Sequence, residues 1–188
     1  MAFLKKIKDL INPQVEAQQV YPIFTPQEKI KHEFINFNAA YRIGILTEMT
    51  SLDVQEKINT YKKLLEKYGY DVEVLMFIDQ EELETGSYLQ KFTPDDLDPK
   101  NGLPFSPKTD RFMVKRFDLL FNLYFNECLP LQYISHMSYA KMRVAPFLTS
   151  FEKCADLLIP NIEDHSHENL IEQINSTLKI KPYERKSF

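Results

Sequence analysis

Chemistry in this chain would have to come from cysteine, histidine or clustered carboxylates, because glycine-built sites are excluded. Its four glycines, Gly44, Gly69, Gly86 and Gly102, are never closer than sixteen residues. The GxGxxG fingerprint, the P-loop and the GxSxG nucleophile elbow each need several glycines within a few residues. Cys128 is the conventional nucleophile, set just before Leu129-Pro130, where a helix start can lower a thiol pKa. Catalysis also needs a base. Glu127, next door, opposes thiolate formation, and helical spacing puts His136 with Gln132 and Tyr139, away from the core face. Asp164-His165-Ser166-His167-Glu168 is the densest group of metal-capable side chains. It lacks the HExxH spacing and has no paired cysteines nearby. Asp164 or Ser166 capping a helix, with acids at its positive end, accounts for it. Glu81, Glu82 and Glu84, with Asp95, Asp96 and Asp98, lie on a proline-broken stretch and read as a solvated acidic run rather than opposed catalytic carboxylates. No catalytic residue, metal site or cofactor is predicted.

Elements that could position such residues are legible from hydrophobic period. Arg42–Thr47 is a short apolar run suited to a strand buried on both faces, and Asp71–Ile78, with VEVLMFI at its centre, gives the next strand. Between them Ser51 can cap a helix with Val54, Ile58, Tyr61, Leu65 and Tyr68 on one face, closed by Gly69. Strand, helix and strand make a right-handed βαβ unit. Phe117–Leu123, Met142–Ala145 and Ala155–Ile159 give three more strands, with helices from Pro130 to Ala140 and from Glu168 to Leu178. Residues 79–116 form a long irregular insertion, broken by Pro94, Pro99, Pro104 and Pro107, with one helical turn at Thr93-Pro94-Asp95-Asp96.

The pattern predicts an α/β fold: an open, mostly parallel five-stranded sheet of order 2-1-3-4-5 with helices on both faces, Rossmann-like or flavodoxin-like without the nucleotide fingerprint. Residues 146–154 are short for a parallel crossover, so the last strand could run antiparallel. Residues 41–180 make one domain. Residues 1–40 are a helical and linker extension, with a capping box at Thr25-Pro26-Gln27-Glu28, and 181–188 are a tail.

Net charge is −4, and residues 71–110 hold ten Asp or Glu against Lys91, Lys100 and Lys108, a surface that repels nucleic acid. Cys128 and Cys154 are too few for a disulfide framework and indicate free thiols in a reducing, cytoplasmic setting. No stretch approaches the ~20 apolar residues that span a bilayer, and the N-terminus is not a signal peptide. Phe3, Leu4, Ile7, Leu10 and Ile11 fall on one helical stripe beside Lys5, Lys6 and Lys8, which suits docking on the chain's own domain, with an anionic membrane surface or a partner as the alternative.

Residues 3–10 (FLKKIKDL), 40–46 (AYRIGIL), 117–123 (FDLLFNL), 129–135 (LPLQYIS) and 140–144 (AKMRV) together resemble a small bacterial family catalogued only as a domain of unknown function. The resemblance implies a cytoplasmic α/β domain without an established activity. Phe117–Pro146 also looks like part of the N-terminal domain of heptosyltransferase-type glycosyltransferases, though Pro146 stands where those enzymes usually have glycine, so the likeness is one of fold.

In such a sheet ligands sit beyond the C-terminal strand ends where strand order reverses. That crevice would draw Thr47, Glu48, Thr50 and Ser51 from one loop and Asn122, Asn126, Glu127 and Cys128 from the other, beside helix N-termini able to hold an anion. Two functions follow. The first is a non-catalytic protein that binds a macromolecular partner, a protein, with Phe92, Leu97, Leu103, Phe105 and Phe112 of the insertion apolar enough to anchor that partner or to cap the sheet. The alternative is a small-molecule or anion site in the crevice, for which Glu48, Asn122 and Glu127 should converge on one pocket.

Overall fold

A computed structural model describes residues 33, 35, 39–79, 89–152, 154–160 and 165–182. The expected N-terminal helix, linker and capping box at Thr25, and the tail beyond 182, lie outside the described residues. Strand β1, Arg42–Glu48, is buried at every position from Ile43 to Thr47, which is why its sequence is a continuous apolar run rather than an alternating one. Helix α1, Leu52–Lys67, starts where the Ser51 side chain accepts from the Val54 amide (3.3 Å) and buries Val54, Ile58, Tyr61 and Leu65. Gly69 ends it at φ 94°, a left-handed conformation that suits glycine, and the Tyr70 amide then donates to the Leu65 carbonyl.

Strands β2 (Asp71–Phe77), β3 (Gln90–Phe92), β4 (Leu119–Leu123), β5 (Met142–Pro146) and β6 (Leu157–Ile159) complete one sheet of order β3-β2-β1-β4-β5-β6. Every pairing is parallel. The sheet is thus an open parallel α/β sheet as predicted, with one strand more. The extra strand, β3, is only three residues on the sheet edge inside the insertion, too short for a period to register.

The last strand is not antiparallel. Among the described residues between β5 and β6, the chain returns in the parallel sense through a 3-10 turn, Thr149–Phe151, and Phe151 is wholly buried against Tyr124 (ring centroids 4.9 Å apart). A buried aromatic plug replaces the helix that a parallel connection ordinarily uses.

Helix α2, Pro107–Val114, also lies within the insertion. It starts at Ser106 with proline at the first helical position, and its box is completed by Thr109 rather than by the usual Glu or Gln. Helices α3 (Leu129–Met137) and α4 (His167–Leu178) are the last two. On one side of the sheet α1 and α4 cover Ile43, Ile45, Leu119, Phe121 and Val144; on the other α2 and α3 cover Leu46, Leu75, Phe117 and Leu120. Gly44 lies on the second side. A Cβ there would come within 2.9 Å of Leu120 and 3.0 Å of the Phe117 ring, so this position needs glycine for close approach.

Candidate functional site

At the C-terminal end of β1 and β4, where the strand order reverses, a cavity of about 370 Å3 opens to solvent. Three chain segments build it. Glu48 and Thr50 follow β1 into the first turn of α1; Tyr124, Phe125 and Asn126 follow β4; His165, Ser166, His167 and Glu168 begin α4. Both helices on this face start from the same edge of the sheet, so their N-termini meet at the cavity.

Among the described residues, several polar groups of the lining already hold one another. Lys57 lies 2.6 Å from Asp53 and 2.5 Å from Glu168, joining the first turns of α1 and α4. Hydrogen bonds to these two carboxylates raise the Lys57 pKa, and Lys57 in turn lowers that of Glu168. Asp53 and Glu168 also complement the two helix dipoles, leaving less positive potential for an anion. Leu123 presents its carbonyl to the Thr47 hydroxyl (2.8 Å) and to His167 Nε2 (3.2 Å). Burial lowers the His167 pKa, so the ring is neutral near pH 7, with its proton on Nε2 donated to that carbonyl. Phe125 stacks on His165 (5.2 Å, 12°) and meets the edge of His167 (5.5 Å, 84°). His165 takes φ 48°, a left-handed conformation that costs more for histidine than for glycine and turns the chain into α4.

Glu48 differs from its neighbours. Its Oε2 accepts from Asn126 Nδ2 at 2.9 Å, which orients the carboxylate, yet among the described residues no cation stands within ion-pair distance. Among the described residues the lining therefore holds Glu48, Asp53 and Glu168 against Lys57, with a flat wall of Phe125 and His165.

Of the residues expected in the crevice, Glu48, Thr50 and Asn126 line the cavity, and Glu48 and Asn126 meet there. Thr47 is wholly buried as a tie between β1 and β4, and Ser51 is spent as a cap. Asn122 is wholly buried, and strand alternation turns it to the other side of the sheet, where its Nδ2 donates to the Val144 carbonyl (3.1 Å). Glu127 is exposed and outside the lining. Cys128 begins α3 on the far face. Burial pushes its thiol pKa up, with the Glu48 and Asp79 carboxylates adding to the effect, so it is no thiolate nucleophile. The expected convergence of Glu48, Asn122 and Glu127 is replaced by Glu48 with Asn126. Phe125, Lys57 and His165–Glu168 were not assigned to the crevice from sequence. Their signal was topological: a second helix on the same face must also start at this edge. Among the described residues no group of three metal-capable side chains is close enough to hold an ion.

The fold and site define a parallel α/β domain with a solvent-open crevice at the strand-order reversal. Residues 23–180 match the Family of unknown function (DUF6913), and the chain belongs to that family. No curated protein and no solved structure matches it, so the likeness of Phe117–Pro146 to heptosyltransferase-type enzymes gains no support. Among the described residues, no helix is long and apolar enough to cross a membrane.

Proposed function

We propose that this chain binds a small, amine-bearing molecule in the crevice between β1 and β4, with Glu48 receiving the ammonium or guanidinium group. The observation that carries the reading is a half-buried carboxylate, oriented by Asn126 at the mouth of a cavity and without a cation of its own among the described residues. A cavity of about 370 Å3 is within the size range of small-molecule sites, and the Phe125–His165 wall suits an apolar or planar part of the same ligand. An anion is disfavoured by the three carboxylates, although two helix N-termini meet there. The reading is one of binding, since burial raises the Cys128 thiol pKa and, among the described residues, no base is paired with it. A reducing, cytoplasmic setting belongs to the proposal, supported by two buried cysteines outside any disulfide.

Binding to a macromolecule through the insertion is less well supported. Phe92, Leu97, Leu103 and Phe112 are buried in the domain's own core, and only Phe105 of that set is exposed. The test is thermal unfolding against primary amines, guanidines, carboxylates, phosphates and nucleotide-sugars. A ligand at a hundred times its Kd adds about 2.7 kcal/mol, which raises the midpoint of a domain this size by roughly 5–10 °C. The reading predicts such a rise with amines or guanidines; a rise confined to the anions would overturn it.

A further inference from the structure

The side of the domain that carries α1 and α4 is not fully closed. A second cavity, of about 500 Å3, runs as a groove between these helices. Its floor is apolar: Leu64 is 37% exposed, Ile171 is half-buried, and the Tyr61 ring is held by its hydroxyl donating to Asn175 Oδ1 at 2.7 Å. Its rim is acidic, with Asp53, Glu56, Glu168 and Glu172 against Lys57, which Asp53 and Glu168 already hold. An occupant should therefore present aliphatic or aromatic side chains flanked by ammonium groups.

The chain itself has such a segment. Phe3, Leu4, Ile7, Leu10 and Ile11 share one helical stripe, with Lys5, Lys6 and Lys8 beside it and Asp9 as the lone acid. The described chain also begins on the right side, because Ile35 packs against the core beneath α1 and α4. Residues 11 to 33 span roughly 70 Å when extended, so reach is not limiting. Tethering gives the segment a high effective concentration that a second copy or a separate partner lacks, and the acidic rim repels an anionic membrane.

We propose that the groove between α1 and α4 is the docking site of residues 3–11 of the same chain, apolar stripe on Leu64 and Ile171 and lysines toward Glu56 and Glu172. The docked segment completes the cover of this side of the sheet. It would also approach Asp53 and Glu168, which line both cavities, but docking is independent of what the crevice binds.

The test uses the full chain with Ala2→Cys carrying a nitroxide label, since the native Cys128 and Cys154 are buried. The expected result is loss of most of the amide NMR signal at Thr60, Leu64, Ile171 and Asn175 while α2 and α3 keep theirs. Glu56→Lys combined with Glu172→Lys, both at exposed positions, should restore the lost signals. The proposal is overturned if the groove signals are unaffected by the label, whether or not the segment binds anionic vesicles. It is overturned also if the charge-reversed variant shows the same loss. Finally, signal loss in unlabelled protein mixed with labelled protein would assign the groove to a second copy instead.

Discussion

The two ends of the sheet are both rich in carboxylates, and they use them differently. At the N-terminal end three aspartates stand at the starts of strands. Asp118, before β4, accepts from the Tyr41 and Arg42 amides at 2.8 and 2.9 Å and from Lys141 at 2.7 Å. Asp156, before β6, accepts from the Arg143 amide, Nε and a terminal guanidinium nitrogen. Asp71, at the start of β2, lies 3.6 Å from Arg42. Each joins neighbouring strands. At the C-terminal end Asp53 and Glu168 are tied through Lys57, but among the described residues Glu48 has only Asn126, and a cavity stands before it. Charge saturated by strand neighbours maintains the fold; charge left one-sided at a cavity is available to a ligand.

Variants can break this contrast, and the largest effect belongs to the saturated end. Asp156→Ala leaves the Arg143 guanidinium, whose side chain is 8% exposed, without its carboxylate. The expected loss is about 3–5 kcal/mol in urea unfolding, with ligand binding by the remaining folded protein unchanged. Asp118→Ala should cost about 2 kcal/mol, because it removes charge-assisted bonds to two strand-linking amides. Burial alone would raise the Asp118 pKa, but the Arg42 and Tyr41 amides and Lys141 hold it below the ordinary carboxylate value. Its contribution is therefore complete above about pH 4 and is lost as pH falls through the lower folded value. Gly44→Ala tests the core between the two ends; unless Phe117 and Leu120 shift, it should destabilise by about 1–3 kcal/mol.

The smallest stability effect lies at the open end. His167 has a folded pKa below its unfolded value because of burial. The unfolded chain then binds more protons, so this group's contribution is complete above about pH 6.5 and declines as pH falls toward the lower folded pKa. Replacing it by Gln, which keeps a donor for the Leu123 carbonyl, should flatten the stability profile below about pH 6.5 (chemical denaturation across a falling pH series is the check).

The same contrast explains what could be read from the residues alone. Strands β1, β2 and β4 are mostly apolar runs, and α1 carries its cap, its stripe and its terminal glycine in order, so the frame was legible. Residues 90–92 and 149–151 were not, because three residues have no period and Phe151 acts through a contact with the distant Tyr124. At the crevice, Glu48 and Asn126 follow from the rule that ligands sit at the strand-order reversal. Asn122 does not belong there because one step along a strand changes its face. The His165–Glu168 group is dense enough to notice in sequence, but its place opposite Phe125 depends on where α4 starts in space.

The most direct test of the site is amine-dependent thermal unfolding of the wild-type protein and Glu48→Gln measured in parallel. Gln keeps the shape and an acceptor for Asn126, so the ligand-free midpoint should stay within about 0.5 kcal/mol of wild type. The account predicts a rise of several degrees with the best amine in the wild type. In the variant that rise should shrink as affinity falls at least ~10-fold, about 1.4 kcal/mol. Equal rises in both proteins would place the ligand elsewhere and contradict the assignment of Glu48.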